Sequence, residues 1–273
     1  MIPAPFDYVR AGSVDEAVAA LAEHGDEAKL LAGGHSLLPL MKLRLATPAV
    51  LVDVGRIGDL SYIHDRGDSV AVGALTNHHD LECSELLQRD VPVLAAAAGQ
   101  VGDPQVRHRG TIGGSLAHGD PAGDMPAVVL ALDATLVVRG PGRERTIPAT
   151  DFFTGFLETA VQPDEMLVEI LVPKVTGGWS FQKLNRRAQD WAIVGVAAAQ
   201  TAAGTGVGLV NMAATPVRAA AAELALSRGA SAADAAADAD EGTEPPADLN
   251  ASEEFRRHLA RVLVRRALEE CGH

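Results

Sequence analysis

Cysteine and aromatic residues are scarce in this sequence. Its 273 residues include 2 cysteines, Cys83 and Cys271, and aromatic residues make up 4% of the chain. The two cysteines are far apart and form no CxxC pair. Because an iron–sulfur cluster takes about four thiolate ligands, this chain cannot hold one by itself, and a structural zinc site is disfavoured for the same reason. We therefore expect no metal site in the chain.

Positive charge is also in short supply. The chain has 23 Lys and Arg residues against 36 Asp and Glu residues, which gives a formal net charge of −13. An acidic protein repels the phosphate backbone of nucleic acids, so nucleic acid is not expected as a partner. The simplest role of the excess negative charge is to keep the protein soluble.

Long apolar runs are missing as well. Charge or glycine interrupts each Ala-rich stretch before it reaches the length of a membrane span. The segment Met1–Pro5 does not show the basic and then apolar pattern of a signal peptide. We expect a cytoplasmic protein without a transmembrane segment, with peripheral membrane association possible through a larger complex.

The N-terminal part of the chain reads as β-α-β. Ser13 and Glu16 have the spacing of a capping box, and Gly25 can end the helix in a left-handed conformation. Thr76 is the expected cap of a later helix. Strands are predicted over 28–32, 49–54, 70–73, 135–139 and 165–172, and helices over 91–101 and 128–132. Residues 102–124 read as one long loop, which is typical of a functional segment.

A second domain is predicted after Gly177-Gly178. Strand patterns over 179–184, 192–199 and 207–212 indicate an antiparallel sheet, and a helix is predicted over 216–226. Residues 229–248 read as a mobile connection. A capping box that begins at Asn250 opens a last helix, whose apolar face would carry Phe255, Leu259, Val262 and Leu263. The fold class is α+β, with domains at 1–175 (subdomains 1–54 and 55–175) and 176–273.

Two glycine pairs carry the strongest chemical signal. In Leu30–Leu38 a strand runs directly into Gly33-Gly34, and Arg109–Leu116 contains Gly113-Gly114 followed by a serine. Glycines allow a sharp turn with positive φ, and successive amides can then bind a phosphate. A lone pair of glycines is more often a plain turn, but two such loops could clamp a diphosphate from two sides. Neither loop is a P-loop, and no GxGxxG fingerprint is present.

Two charged residues add to this signal. Asp124 precedes a predicted helix and could accept hydrogen bonds from ribose or ribityl hydroxyls, or could simply favour the start of that helix. Lys183, in a predicted strand, shares a face with Phe181 and Asn185. A lysine near a flavin can stabilise negative charge at the N1–C2=O edge of the ring, although most lysines are solvated. His78, His79, His108 and His118 have no metal-site spacing and are expected in loops or at the surface.

The order of these motifs resembles that in a known family. Ala32–Ser36, Thr111–Ser115 with Pro121–Asp124 after it, and Lys183 with Asp190-Trp191-Ala192 are similar to motifs of the FAD-binding medium subunits of aerobic carbon monoxide dehydrogenases. Those subunits belong to the xanthine dehydrogenase/oxidase family of molybdenum hydroxylases. The similarity extends from Pro5 to the final helix and specifies no substrate.

The resemblance implies a fold and a set of cofactor ligands. The fold is an FAD-binding domain of the p-cresol methylhydroxylase and vanillyl-alcohol oxidase type, followed by a small α+β domain of the CO dehydrogenase flavoprotein C-terminal type. No catalytic residue is assigned, and the flavin is expected to be bound non-covalently. The residues assigned to FAD are Leu31, Ala32, Gly33, Gly34, His35, Ser36, Leu37, Val101, Thr111, Ile112, Gly113, Gly114, Ser115, Asp124, Leu167, Lys183, Asp190 and Trp191.

The resemblance also distributes roles among these residues. The glycine loops would hold the pyrophosphate, Asp124 the sugar portion, and the Leu167 backbone and Lys183 the isoalloxazine ring. Val101 would pack on the cofactor, and Asp190 and Trp191 would lie near the exposed side of the ring. Many relatives have Tyr near Trp191 and Asn in place of Ser115. In other flavoenzymes of this broad fold, a Gly-Gly-His such as that ending at His35 carries a covalent flavin link.

The function implied is that of one subunit in an electron-transfer chain. Substrate oxidation would occur at a molybdenum cofactor on a large subunit, and two [2Fe–2S] clusters on a small subunit would relay electrons to FAD on this chain. The FAD would pass them to an external acceptor, and the complex is expected to be a dimer of heterotrimers. Two alternatives stay open: a self-sufficient FAD oxidoreductase and a non-catalytic nucleotide-binding module. The substrate, whether CO, a purine, an aldehyde or an N-heterocycle, and the final acceptor are not specified by the sequence.

Overall fold

The first part of the chain forms a small parallel sheet. The computed structural model describes residues 2–273. Its first sheet has the strand order β1-β3-β2, with both pairs parallel, and the predicted β-α-β opening is confirmed. The elements are β1 (Asp7–Arg10), α1 (Val14–His24), β2 (Ala28–Leu31), α2 (Leu37–Leu43) and β3 (Val50–Asp53), with a short 3-10 turn at Gly25–Glu27.

The predicted capping box at the start of α1 is present. Ser13 Oγ accepts a hydrogen bond from the Glu16 amide at 3.2 Å, and Glu16 Oε2 accepts one from the Gly12 amide at 2.7 Å. Gly25 ends the helix with a φ of 54°. The buried residues Val14, Ala17 and Leu21 then pack against the parallel sheet. Local side-chain chemistry therefore sets both ends of this helix.

The middle of the chain builds an antiparallel sheet covered by helices. The strand order is β4-β5-β10-β6-β7, and the largest core cluster lies between this sheet and the helices. The elements are β4 (Ile63–Asp65), β5 (Ser69–Gly73), α3 (His78–Cys83), α4 (Glu85–Asp90), α5 (Pro92–Gly99), α6 (Pro104–Arg107), α7 (Ile112–His118), α8 (Asp124–Ala131), β6 (Thr135–Gly140), β7 (Arg143–Pro148), α9 (Ala149–Phe152), β8 (Phe153–Gly155), β9 (Glu158–Thr159) and β10 (Met166–Pro173), with a 3-10 turn at Gly58–Leu60.

Two sequence predictions in this part are wrong. Asn77, not Thr76, caps α3, since the Asn77 side chain accepts from the Asp80 amide. The Thr76 hydroxyl instead bonds with the backbone of Tyr62. Residues 102–124 are not one loop, because α6 and α7 form within them. The many glycines and prolines of this segment are typical of loops, so the two short helices were not predicted. Their N-caps are Asp103 and Thr111.

The last part of the chain is an antiparallel sheet with helices. The strand order is β11-β12-β13-β14, as the succession of strand patterns predicted. The elements are β11 (Val175–Leu184), β12 (Val194–Thr201), β13 (Gly204–Val210), β14 (Val217–Arg218), α10 (Ala220–Ser227), α11 (Ala232–Ala237) and α12 (Glu253–Glu270). Among residues 2–273, no helix is both long and apolar enough to cross a membrane.

Three further predictions for this part are wrong. The segment 229–248 contains α11, which Ser231 caps and whose alanines are buried, so small side chains pack there although their composition suggested a mobile connection. The helix predicted over 216–226 is divided between β14 and α10. Ser252, not Asn250, caps α12. The buried face of α12 carries Arg256, Ala260, Leu263, Val264, Ala267 and Leu268. Phe255 is 46% exposed, because one position along a helix is about 100° of rotation, which turns Phe255 away from the buried row that begins at Arg256.

Candidate functional site

The first glycine loop connects β2 to α2. Gly34 has a φ of 78°, a left-handed conformation that a residue with a Cβ adopts only with strain. Among the described residues, no protein acceptor receives the amide hydrogens of Gly33, Gly34, His35 or Ser36. Leu31 ends the strand before the loop and Leu37 begins the helix after it. The loop therefore presents free backbone donors, an arrangement that binds anions.

In the second glycine loop, Arg109–Leu116, the pair Gly113-Gly114 lies in the first turn of α7 and not in a sharp turn as predicted. Protein acceptors already receive the amide hydrogens of Ile112–Ser115. The Ile112 amide donates to Thr76 O at 3.0 Å and the Gly113 amide to Ala74 O at 2.9 Å. The Gly114 amide donates to Thr111 Oγ1 at 3.1 Å, and the Ser115 amide donates to the Thr111 carbonyl at 3.0 Å. The sequence predicted free amides on both loops, but only the first loop has amides without a protein acceptor among the described residues. The second loop contributes a wall and the Ser115 hydroxyl.

The two loops lie against each other. A Cβ added to Gly33 would overlap the Arg109 carbonyl, so this glycine permits close packing of one loop on the other. A Cβ added to Gly114 would lie 2.8 Å from Thr111 Oγ1 and 4.0 Å from Ala32 Cβ, with no other described neighbour within 4 Å. Gly114 is not among the residues with positive φ. A Cβ at Gly114 would therefore displace the Thr111 hydroxyl and contact Ala32 of the first loop, so this glycine permits close approach and does not serve a turn.

A buried ion pair joins the start of α8 to β11. Lys183 Nζ is 2.7 Å from Asp124 Oδ2, and the two side chains are 4% and 7% exposed. The same ammonium donates to the Gln100 carbonyl at 3.0 Å. Asp124 Oδ1 is buried without a hydrogen-bond partner. Burial raises the pKa of the Asp124 carboxyl, while the Lys183 charge opposes that rise.

Backbone hydrogen bonds connect the segment of Leu167 to the second glycine loop, and Val101 follows a residue that binds Lys183. The pairing of β10 with β6 shifts register between Leu167 and Glu169, and such bulges are common beside functional sites. Val168 O accepts from the Ala74 amide at 3.0 Å, and Ala74 O accepts from Gly113. Ala74 therefore ties the bulge to the second glycine loop. Val101 directly follows Gln100, the carbonyl partner of Lys183.

Asp190 and Trp191 lie on the wall of a cavity of about 550 Å³. Trp191 is 60% exposed, and Asp190 accepts hydrogen bonds from Arg187 and from the Trp191 amide. The same cavity is lined by Asp120, Pro121 and Ala122, in the segment between α7 and Asp124. Neither glycine loop contributes to its lining.

His78 differs from the expectation of a loop or surface residue. It is 3% exposed, and its Nδ1 is buried without a hydrogen-bond partner. Burial, with smaller contributions from the charges of Arg107 and His35, lowers the pKa of His78 to about 4. The ring is therefore uncharged at neutral pH.

Acidification is expected to destabilise the protein through His78. An unfolded histidine has a pKa near 6.5 and the folded one a pKa of about 4, so the unfolded state takes up the proton first as pH falls. The free energy of unfolding should lose about 3 kcal/mol through this residue between these two pH values, and nothing above them. Denaturant unfolding across this range measures the loss. His78→Gln should flatten the dependence and His79→Gln should not; an unchanged profile in His78→Gln contradicts the assignment.

Three residues at this site were missed in the sequence. Ala74 and Gln100 act through backbone carbonyls, which carry no side-chain signal, and His78 was discounted because no spacing among the histidines suits a metal site. The assembled groups fit a flavin dinucleotide. The free amides of the first loop suit a diphosphate, and the unpartnered Asp124 oxygen suits a sugar hydroxyl.

Comparison with known protein families agrees with this site. Residues 4–175 match the FAD binding domain in molybdopterin dehydrogenase, and residues 179–271 match the CO dehydrogenase flavoprotein C-terminal domain. Together the two family models account for nearly the whole chain, in the order that the sequence resemblance implied.

Individual relatives match over almost their full length. The carbon monoxide dehydrogenase medium chain of Hydrogenophaga pseudoflava is 44% identical, with 98% of this chain and 97% of the relative covered. The 6-hydroxypseudooxynicotine dehydrogenase complex subunit alpha of Paenarthrobacter nicotinovorans is 36% identical, with coverage of 100% and 96%. A chain of the solved carbon monoxide dehydrogenase from Hydrogenophaga pseudoflava, which lacks the Mo-pyranopterin moiety, superposes with a TM-score of 0.96 at 44% identity, with coverage of 100% and 99%. The chain therefore belongs to the family of FAD-binding medium subunits of molybdenum-containing dehydrogenases, which are electron-transfer subunits of oxidoreductases.

Proposed function

We propose that this chain holds one FAD non-covalently between its two glycine loops and uses it to pass electrons from [2Fe–2S] clusters to an external acceptor. The observation that carries the proposal is the set of amides at Gly33–Ser36 that donate to no protein acceptor among the described residues, in a loop packed against the second glycine loop. A diphosphate supplies the acceptors that these donors lack. The flavin would supply the conversion between one-electron and two-electron transfer.

The chain's own residues bind and orient the cofactor in this proposal. The first loop donates to the diphosphate from its backbone, and the second loop bounds it and adds the Ser115 hydroxyl. Asp124 Oδ1, buried without a partner, accepts from a sugar hydroxyl. Lys183 and the bulge at Leu167 face the ring, and Val101 packs beside them. Asp190 and Trp191 line the cavity that the Asp120–Ala122 segment shares.

We further propose partner subunits and an arrangement for them. A large subunit would carry molybdopterin and oxidise the substrate, and a small subunit would carry the clusters, since this chain has 2 cysteines and a cluster needs about four. The complex would be a cytoplasmic dimer of heterotrimers, a common closed symmetry. Within the chain, we propose an FAD domain of residues 1–175, with subdomains 1–54 and 55–175, and a C-terminal domain of residues 176–273. Relatives with different named substrates match this chain, so its own substrate stays open.

Acid precipitation tests the cofactor proposal. The full chain is expected to purify with FAD, and trichloroacetic acid should leave the yellow colour in the supernatant, because hydrogen bonds and packing do not survive unfolding. Absorbance of supernatant and pellet measures the partition. Colour that stays in the pellet of the wild type and is lost in His35→Ala would contradict non-covalent binding. A chain that takes up no FAD at all would favour the non-catalytic module.

Turnover by the isolated chain tests the subunit proposal. The chain alone is expected to bind FAD and to reduce artificial dyes slowly, without oxidising an organic substrate, because it has no substrate-oxidising centre of its own. Co-expression with large and small partner subunits should yield a complex that contains molybdenum and iron. Substrate oxidation by the lone chain at the rate of the native preparation would instead support a self-sufficient FAD oxidoreductase.

A further inference from the structure

His78 lies directly against the second glycine loop. Its amide donates to the Gly110 carbonyl at 3.0 Å. A Cβ added to Gly110 would lie 2.9 Å from His78 Cδ2 and 3.3 Å from Nε2. The edge of the imidazole therefore fills the space on one side of Gly110. Because Nδ1 has no hydrogen-bond partner, packing holds the ring in place.

Gly110 in turn contacts the first glycine loop. A Cβ added to Gly33 would lie 2.9 Å from Gly110 Cα, so the order of contact is imidazole, second loop, first loop. Protein interiors are close-packed, and a change of volume at one layer displaces the next. The size and position of the His78 ring are thus coupled to the separation between the loops.

We propose that His78 is a positioning residue of the cofactor site, whose imidazole packs against Gly110 and sets the separation of the two glycine loops. This inference rests on the proposed FAD function and adds a residue to it. The charged or titratable groups nearest the ring are Arg107, from α6, and His35, from the first loop. Arg107 is paired with Glu82 at 2.8 Å, on the same helix as His78. A cationic imidazole at this position would be repelled by Arg107 and His35 and would no longer pack against Gly110.

A reciprocal pair of substitutions tests the proposal. His78→Ala removes the support from Gly110, and Gly110→Ala, at a residue without positive φ, pushes the second loop away from the ring. Each should weaken FAD binding by about tenfold or more, whereas His78→Ala/Gly110→Ala should recover most of the affinity, since contacting sites are non-additive. In the double variant the added methyl group occupies the space that the ring vacates. Quenching of flavin fluorescence on the full chain gives each Kd for FAD.

Two controls separate packing from other roles. His78→Phe keeps a planar ring against Gly110 but a larger one, so it should weaken FAD binding clearly less than His78→Ala does, while His79→Ala, at the neighbouring half-buried residue, should have no effect. Should His78→Ala not fold, Gly110→Ala must still lose affinity and His78→Phe must lose less than Gly110→Ala. A double variant weaker than both single variants, or a His78→Phe variant as weak as His78→Ala, overturns the proposal. A wild-type chain that binds no FAD would instead contradict the proposed function.

Discussion

Gly34→Val is expected to abolish FAD binding. Gly34 has a φ of 78°, and a β-branched residue in that region is an outlier that costs about 1–3 kcal/mol. The backbone would relax and turn the free amides of Gly33–Ser36 away from the diphosphate. We expect the affinity for FAD to fall by about a hundredfold or more, which corresponds to roughly 3 kcal/mol. Titration of the full chain with FAD, followed by fluorescence, measures the loss.

Gly67→Val is the matched control. Gly67 has a φ of 88° and lies in the turn between β4 and β5, where an added Cβ would meet no described atom within 4 Å. The backbone strain is similar, but the position is outside the cofactor site. This variant should lose some stability and keep its FAD affinity. Full FAD occupancy in Gly34→Val would show that the first loop is a structural turn and nothing more.

Lys183→Met is expected to destabilise the protein strongly. The ammonium is buried and paired with Asp124, so its removal leaves an uncompensated carboxylate whose other oxygen already lacks a partner. Breaking a buried pair on one side costs about 3–5 kcal/mol. The double variant Lys183→Met/Asp124→Leu should recover most of that free energy of unfolding, because no charge stays buried. Equal stability of the single variant and the wild type in denaturant unfolding would contradict the buried pair.

The same pair should tune the reduction potential of the bound flavin in both directions. In the wild type the Asp124 carboxylate offsets the Lys183 charge. Lys183→Met removes the cation and should lower the potential, whereas Asp124→Asn leaves the ammonium unopposed and should raise it. Dye-equilibrated reductive titrations of the purified variants measure both shifts. Identical potentials in wild type and both variants would show that the pair does not act on the ring.

Local sequence signals predicted the elements that local chemistry controls. The Ser13 capping box and the Gly25 stop are present as expected, since each depends on residues within one turn. The cap predicted at Thr76 falls on Asn77, because the Thr76 hydroxyl finds the Tyr62 backbone. That partner is remote in sequence, so a local sequence pattern could not predict it. The helix α11 was not predicted for the same reason. Its alanines are stabilised by burial against other segments, which the local sequence pattern does not show.

The sequence by itself determined the order of the motifs, the two glycine loops and the family to which the chain belongs. Only the tertiary structure decided which loop keeps free amides, because Thr76 and Ala74 satisfy the second loop across a fold contact. It also decided that Asp124 and Lys183, 59 residues apart, form a pair, and that His78 is buried against Gly110. Motif residues can be identified from their neighbours in the chain, whereas hydrogen-bond partners and burial depend on segments that meet only after folding.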